Sequence, residues 1–245
     1  SSAASDVYKR QIQTLSKSRE TYHRISELPK GARVGIVGAG LSGIELASEL
    51  RESRSDLEIL LYDRGPRILR NFPEKLSKYI SNWFSKHNVT VVPNSVIDKV
   101  EPGKIYNNGK PENIDLVVWT AGIQPVEIVR NLPIDMSTTG RVIINQYHQV
   151  PTYRNVYVVG DCANLPHAPS AQLAELQGEQ IADVLKKQWN NEPLPDKMPE
   201  IKVQGFLGSL GDKQGFAYIM DRTVTGRLAS ILKSGVLWRY KYHNG

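Results

Sequence analysis

The sequence RVGIVGAGLSGIELASEL, residues 33–50, combines a strand, a glycine-rich turn and a helix. The apolar run Ala32–Val37 predicts a strand that is buried on both faces. A Gly38-x-Gly40-x-x-Gly43 motif follows, and the apolar spacing beyond it predicts a helix over residues 41–54. Because this turn lies at the carboxyl end of the first strand, where parallel α/β sheets bind ligands, the segment indicates a site for a nucleotide phosphate.

The rest of the chain alternates helices and strands and then turns mainly to strands. Helices are predicted over 12–28, from Pro73 to His87, over Ser170–Trp189 and near 226–240. Strands are predicted at 57–63, 89–92, 95–100, 104–108, 114–120, 140–145, 155–161, and near 201–207 and 215–220. This order is typical of an α/β fold with a largely parallel sheet. Residues 1–11 are small and polar without periodicity, so we exclude them as a non-native or disordered end.

Composition and charge exclude several classes of protein. The 245 residues carry 31 lysines and arginines against 25 acids, a net charge of +6, but the basic residues are spread along the chain. No arginine-rich helix, zinc-finger spacing or aromatic RNA-binding strand occurs, so we expect no nucleic-acid partner. No apolar run approaches the length of a membrane span. The single cysteine, Cys162, cannot form an internal disulfide, which is compatible with the cytoplasm.

Each glycine of the motif has a physical role in a predicted diphosphate site. Gly38 allows the tight turn, Gly40 lets the backbone approach a pyrophosphate, and Gly43 lets the helix pack closely on the strand. The helix N-terminus offers free amides, including those of Leu41 and Ser42, to the diphosphate. The alternative is a tight turn without a ligand, but strand, helix and a following acid all fall where a dinucleotide needs them.

That acid is Asp63, which closes the second predicted strand twenty positions after Gly43. It can accept hydrogen bonds from the 2′- and 3′-hydroxyls of a ribose, and its charge opposes a 2′-phosphate. The sequence therefore favours NAD(H) over NADP(H). Arg64 and Arg67 weaken that preference, because a nearby arginine accommodates a 2′-phosphate.

Further segments resemble a known family when taken in order. They are GAGLSGIELASEL (38–50), DRGPRIL (63–69), VVWTAGIQP (117–125), GRVIINQYHQVPTYRNVYVVGDCAN (140–164) and APSAQLAELQG (168–178). Together they resemble the pyridine-nucleotide:flavin oxidoreductases with two dinucleotide-binding domains, and among these the type II NADH dehydrogenases and their NADH dehydrogenase-like bacterial relatives. The resemblance implies an α/β fold with a Rossmann-like NAD domain inserted into an FAD domain, and a small C-terminal α+β region.

The resemblance also implies domain boundaries. Residues 12–30 would be a connecting segment, 31–124 the NAD(H)-binding domain, 125–190 the returning segment of the FAD domain and 191–245 a C-terminal region. The one glycine loop resembles the NADH-binding loop of the family. We therefore interpret the chain as a fragment without the first FAD segment, and we expect it to bind FAD poorly.

Several site residues are implied by the resemblance alone. Asp161 would bind ribityl or ribose-side oxygens of FAD, with Gly160 allowing close backbone approach. Thr120, Ala121 and Gly122 resemble the crossover that lies near the flavin at the end of the NAD domain.

Two further positions concern electron transfer. Ala171 and Gln172 resemble a pair that faces the flavin and the quinone pocket. Glu45 matches an acid beside the nicotinamide and the flavin that has been assigned a role in catalysis, where it could orient the carboxamide or relay a proton. The alternative for Glu45 is a first-turn glutamate that stabilises the helix dipole.

Other residues near the motifs have simpler interpretations. Leu176 stands where the family often has a second glutamine, with Gln177 beside it, so a quinone would lose a hydrogen-bond donor there. Cys162 has no cysteine partner and is interpreted as structural. His148 lacks metal-ligand neighbours, and His167 is interpreted as an exposed loop residue.

The stretch GRLASILKSGVLWRYKYHNG (226–245) interleaves apolar and basic residues. Such a helix suits docking on an acidic membrane surface, at the inner face of the cell membrane. The alternative is a helix whose apolar side covers the adjacent small sheet. The oligomeric state is left open, with a homodimer among the options.

These observations support an FAD-dependent enzyme that oxidises NADH and reduces a quinone or another small electron acceptor. One alternative is an NAD(H)-binding regulatory protein without turnover, which Leu176 favours. Another is an FAD-dependent reductase with a disulfide or protein acceptor.

Overall fold

A computed structural model of the protein describes residues 9–12, 14–167, 169–203 and 205–243. The helices are α1 (Leu15–Ser26), α2 (Leu41–Ser53), α3 (Glu74–Lys86), α4 (Glu127–Arg130), α5 (Ala171–Trp189) and α6 (Arg227–His243). The first strands are β1 (Lys9–Gln11), β2 (Arg33–Val37), β3 (Glu58–Tyr62), β4 (Val89–Val92), β5 (Ile97–Glu101), β6 (Lys104–Asn107), β7 (Lys110–Asn113) and β8 (Leu116–Trp119). The remaining strands are β9 (Gln149–Val150), β10 (Tyr153–Tyr157), β11 (Gly205–Leu210), β12 (Gln214–Ile219) and β13 (Arg222–Gly226).

Five parallel strands form the main sheet in the order β1-β8-β2-β3-β4. The central strand β2 places Val34 opposite Ile59 of β3 and Leu116 of β8. Four of the five residues of β2 and of β3 are buried. Such continuous apolar strands are typical of a parallel sheet that is covered on both faces. The predicted α/β fold with a largely parallel sheet is confirmed.

The two faces of this sheet are covered by different structures. Alternate strand residues such as Ile36 and Ile59 pack in one core with Ile44 of α2 and Ile80 of α3. On the other face, Val37, Leu60, Tyr62 and Val117 pack with Val100, Ile105 and Ile114 from the antiparallel sheet β5-β6-β7 and its edge. The carboxyl ends of the parallel strands are thereby left to form a binding edge.

A buried tyrosine ties the small sheet to the main one. The Tyr62 hydroxyl at the end of β3 donates to Glu112 Oε2 on β7 at 2.7 Å, and Asn107 Nδ2 donates to the other carboxylate oxygen at 3.1 Å. Burial, followed by the hydrogen bond to Glu112, raises the pKa of Tyr62. The phenol therefore stays protonated and keeps donating across the neutral pH range.

The described residues divide into two compact units. The first contains the residues up to Ala121 and those from Gly205 onward, so the C-terminal sheet β11-β12-β13 and helix α6 belong with the main sheet. Leu210 and Phe216 are fully buried in the same core as α2. Gly215 allows α6 to approach, because a Cβ there would lie 2.8 Å from the Ser230 nitrogen.

The second unit contains the described residues between Gly122 and Gln204. It holds the antiparallel pair β9-β10, a single 3₁₀ turn at Gly160–Cys162 and the long helix α5. Ser170 begins α5 by accepting a hydrogen bond from the Leu173 amide at 3.2 Å. Leu173 and Val184 are buried on the inner side of the helix.

Three predictions of local structure are corrected. Residues 9–11 form β1, which pairs parallel with β8, so their exclusion from the fold is wrong; residues 1–8 lie outside the described residues. Residues 140–145 are not a strand, because Val142 forms only isolated bridges, to Met136 and Ala163. The strand predicted near 201–207 begins at Gly205, and residue 204 lies outside the described residues.

Helix α6 packs on the C-terminal sheet through small residues, including the fully buried Ala229. Its larger apolar side chains point outward: Leu228, Ile231 and Trp238 are 69%, 68% and 64% exposed. The alternative in which the apolar side of this helix covers the sheet therefore does not hold for these residues. Within the ranges described, no helix combines the length and the apolar character needed to cross a bilayer.

Candidate functional site

The glycine motif forms a tight turn between β2 and α2. Gly38 has φ +110°, and a Cβ there would lie 2.8 Å from the Ala121 Cα. A Cβ on Gly43 would lie 1.9 Å from the Gly38 carbonyl oxygen. A Cβ on Gly40 would meet nothing within 4 Å. Gly38 and Gly43 are therefore required by the protein's own packing, whereas Gly40 borders open space.

The amides at the start of α2 are available to a ligand. Ile44 N–H donates to the Gly40 carbonyl at 3.0 Å, which is the first hydrogen bond of the helix. The amides of Gly40, Leu41, Ser42 and Gly43 have no partner in the part of the chain that the structure describes. Such amides, together with the positive end of the helix dipole, are what an anionic phosphate needs.

Asp63 lies against this turn and joins it to the next loop. One carboxylate oxygen accepts from the Ala39 amide at 2.8 Å, and the other accepts from the Gly65 amide at 2.7 Å. The acid and the glycine loop are thus in direct contact. Two lone pairs remain on the carboxylate for a ribose, so its use inside the protein does not prevent its predicted use for a ligand.

The two neighbouring arginines differ in their availability. Arg67 donates to the carbonyls of Leu69, Arg70 and Phe72, and it holds the loop after β3 in place. Arg64 is exposed. Of the two arginines that weaken the predicted preference for NAD(H), Arg64 is the one whose guanidinium is not already bound to backbone carbonyls.

The crossover at residues 120–122 supports the glycine loop from the side. Thr120 Oγ1 donates to the carbonyls of Val37 and Gly38 at 3.0 and 2.9 Å. Ala121 packs against Gly38, and Gly122, with φ +77°, begins the second unit. Thr120 and Ala121, which the resemblance implies near a flavin, therefore also contact the glycine turn.

Glu45 is bound to two residues of the C-terminal part of the chain. Its Oε1 accepts from the Ser209 amide at 2.9 Å and from the Ser209 hydroxyl at 3.2 Å. Lys233 Nζ of α6 forms an ion pair with the same oxygen and also donates to Ser209 Oγ at 2.7 Å. This arrangement differs from a glutamate that interacts only with the dipole of its own helix.

The acid one turn further along α2 is influenced by the same charges. Partial burial, followed by the nearby Glu52 carboxylate, raises the pKa of Glu49, and Lys233 opposes this shift.

The sequence contained no local signal for the partners of Glu45. Ser209 and Lys233 lie 164 and 188 positions away, and Lys233 belongs to the stretch 226–245 that the sequence predicts to dock on a membrane surface.

The second unit contains the other predicted binding turn. Gly160 has φ +68°, and its amide donates to the side-chain oxygen of Gln177 at 2.9 Å. Arg141 Nε donates to the Asp161 carbonyl at 3.2 Å, and the Val142 amide donates to the Cys162 carbonyl at 2.8 Å. Asp161 itself is exposed, and no described residue bonds its carboxylate. The turn presents this carboxylate on a fixed backbone.

Helix α5 places Ala171 and Gln172 in its first turn, and Ala171 is exposed. Leu176 is half-buried and Gln177 is fully buried against the turn. Gln177 therefore does not replace the family's second glutamine as a surface donor.

The remaining candidates have no catalytic arrangement. Cys162 is half-buried with a free thiol, and His167 is exposed. His148 is buried and its Nε2 hydrogen-bonds Gln180 Oε1 at 2.8 Å. Across the described ranges no group of three or more His, Cys, Asp or Glu could hold a metal ion.

Comparison with known families decides the membership of this chain. The family model described as pyridine nucleotide-disulphide oxidoreductase matches residues 6–178, well over half of the chain. The chain belongs to this family. The predicted superfamily is thereby confirmed.

Individual members of the family show the same relationship. The chain is 55% identical over 234 residues to the NADH dehydrogenase-like protein YutJ of Bacillus subtilis. This alignment covers 96% of this chain and 66% of that protein. It is 26% identical over 210 residues to a type II NADH:quinone oxidoreductase of Haemophilus influenzae, covering 74% of this chain and 47% of the relative. The chain thus spans 66% of the length of the first relative and 47% of the second, less than two thirds of either.

A solved structure shows a similar fold. NDH2 from Plasmodium falciparum, in complex with NADH, superposes with a TM-score of 0.77 at 15% identity, covering 95% of this chain and 69% of that one. At this identity the likeness concerns the fold alone. It confirms the predicted fold class of a flavoprotein with two dinucleotide-binding domains.

Proposed function

We propose that the protein is an FAD-dependent NADH dehydrogenase that passes electrons to a quinone. The observation that carries this proposal is the row of unpaired amides at Gly40–Gly43 beside the Asp63 carboxylate. A diphosphate and an adenosine ribose need these two features side by side. The high identity to an NADH dehydrogenase-like protein supports the same conclusion.

The first unit is proposed to bind NADH. The amides of Leu41 and Ser42 would hold the diphosphate, and Gly40 would let the backbone approach it. Asp63 would accept from the ribose hydroxyls and oppose a 2′-phosphate, while the exposed Arg64 lies beside it. Thr120 holds the glycine loop in place, and Arg67 holds the loop after β3.

The second unit is proposed to be the returning part of the FAD domain. The residues fit the cofactor, because the exposed Asp161 carboxylate can accept from its hydroxyl groups and the buried Gln177 Nε2 lacks an acceptor among the described residues. When bound, FAD supplies the hydride acceptor for NADH and the electrons for the second substrate. Ala171 and Gln172 would lie at the flavin, as the family resemblance implies.

The test is a steady-state and a rapid-mixing experiment on the full-length protein loaded with FAD, because this chain is expected to bind FAD poorly by itself. NADH should bleach the flavin absorbance under anaerobic conditions, and a short-chain quinone should restore it. Flavin that stays oxidised with NADH would reject the proposal. If NADH reduces the flavin but the quinone does not reoxidise it, the quinone is not the electron acceptor. A disulfide or protein acceptor then remains. Tight NADH binding by a protein that takes up no flavin would favour the regulatory alternative.

Glu45 is proposed to contact the nicotinamide through its second carboxylate oxygen, because Oε1 already accepts from Ser209 and Lys233. Glu45→Gln should lower kcat/KM for NADH by about tenfold, the effect of one charged hydrogen bond. Glu49→Gln is the matched control, since it removes the same charge one turn further along and should stay within about twofold of the wild type. Equal activity of all three proteins would exclude a catalytic role for Glu45.

Helix α6 is proposed to dock on an acidic membrane surface through Leu228, Ile231 and Trp238. Trp238→Ala should weaken cosedimentation with anionic phospholipid vesicles by about tenfold, because a large apolar side chain no longer inserts. Trp189→Ala is the control, because Trp189 is also exposed but ends α5. Identical vesicle binding by the two variants would remove α6 as the docking element.

A further inference from the structure

We propose that Gln177 is a positioning residue for FAD. Its side chain holds the Gly160 amide from inside the protein and thereby sets the direction of the Asp161 carboxylate. The inference rests on the proposed function, in which this turn binds FAD, and it names a residue that acts through the turn rather than on the substrate.

The contact between Gln177 and the turn is buried. Gln177 is fully inaccessible to solvent, and its Oε1 accepts from the Gly160 amide at 2.9 Å. Gly160 is in the left-handed region with φ +68°, and a Cβ there would lie 3.5 Å from the Ala174 Cβ. The helix and the turn are thus close to each other beside this hydrogen bond. An amide left unpaired in such a place carries its full desolvation cost.

The other backbone groups of the turn are held independently. The Gly160 carbonyl accepts from the Ala163 amide at 3.0 Å, the Asp161 carbonyl from Arg141, and the Cys162 carbonyl from Val142. All three carbonyls of the turn therefore bond within the second unit. Gln177 is the only side chain among the described residues that bonds an amide of the turn. Its loss would release the residue that immediately precedes Asp161.

The nitrogen of the Gln177 side-chain amide also indicates a ligand. Nε2 is buried and has no hydrogen-bond partner among the described residues. Buried side-chain donors are nearly always paired in native proteins. A cofactor that is rich in phosphate and hydroxyl oxygens supplies acceptors of the required kind.

Three variants separate positioning from general stability. Gln177→Met has a similar length but neither acceptor nor donor. Gln177→Glu keeps an acceptor for the Gly160 amide and is the conservative rescue. Gln188→Met is the control on the same helix, where an exposed glutamine accepts from the Tyr157 hydroxyl at 2.7 Å. Each variant is made in the full-length protein, stripped of flavin and titrated with FAD and, separately, with NADH, and hydrogen exchange of the Gly160 amide is followed.

Gln177→Met should weaken FAD binding at least tenfold and accelerate exchange of the Gly160 amide. Gln177→Glu, which keeps the acceptor for the Gly160 amide but not the buried donor, should fall between Gln177→Met and the wild type in FAD affinity, and Gln188→Met should be unchanged. NADH affinity should be the same in all of them. The inference is overturned if Gln177→Met binds FAD normally, or if it loses FAD and NADH together as a misfolded protein would. A full-length wild-type protein that takes up no FAD overturns the proposed function itself, which distinguishes the two failures.

Discussion

Gly43→Ala is expected to abolish NADH binding and to destabilise the protein. The added Cβ would lie 1.9 Å from the Gly38 carbonyl oxygen and 2.8 Å from Thr120 Oγ1, both far inside van der Waals contact. The helix α2 can relieve this overlap only by moving away from β2, which separates the amides of its first turn from Asp63. We expect the free energy of unfolding to fall by about 3 kcal/mol, as in overpacked cores. NADH affinity should fall by more than about a hundredfold, because the site loses its geometry.

Gly40→Ala is the matched comparison in the same loop. Its Cβ would meet nothing within 4 Å, and its φ of −78° suits any residue. Urea unfolding should therefore stay within about 1 kcal/mol of the wild type, the range of an altered helix cap. NADH titration should nevertheless show about tenfold weaker binding, because the methyl group would occupy the space where the diphosphate approaches. Unchanged NADH affinity in Gly40→Ala would place the diphosphate elsewhere.

Asp63→Ala is the second variant with a large expected effect. It removes the acceptor of two backbone amides, those of Ala39 and Gly65, and it removes the proposed ribose contacts. Hydrogen bonds to charged groups are worth about 1.5–3 kcal/mol each, so NADH affinity should fall about a hundredfold. NADPH should not bind better than it does in the wild type. The reason is that the carboxylate shapes the loop for either nucleotide, as well as opposing the extra phosphate.

Another aspartate that accepts a hydrogen bond from a backbone amide serves as the control. Asp115 Oδ2 accepts from the Arg33 amide at 2.7 Å, at the amino end of β2. Asp115→Ala should lower stability by about 1 kcal/mol without changing the dissociation constant of NADH. Fluorescence titration with both nucleotides, combined with urea unfolding, measures these effects. If the Asp63→Ala variant is fully stable and binds NADPH tightly, Asp63 only contacts the ribose and does not organise the loop.

The strand–turn–helix at residues 33–53 was predictable because its signals are local. A buried parallel strand, a glycine turn and an amphipathic helix each leave a short pattern in the chain. The strand predicted at 140–145 has the same apolar character, but only Val142 of this segment forms β-bridges, and these are isolated. A strand exists only when a partner backbone lies beside it, and periodicity carries no information about that partner. The same reason explains why β1, a short edge strand beside β8, was missed.

The sequence by itself determined the parallel α/β sheet, the glycine turn and the acid that follows the second strand. These features depend on contacts between residues that are close in the chain or at the ends of adjacent strands. Only the tertiary structure decided the partners of the buried and charged side chains. Glu45 meets Ser209 and Lys233, Asp63 holds two loop amides, and Gln177 faces Gly160. Such pairings depend on how distant segments pack, because a charged or amide group removed from water must find its acceptor or donor wherever the fold brings one.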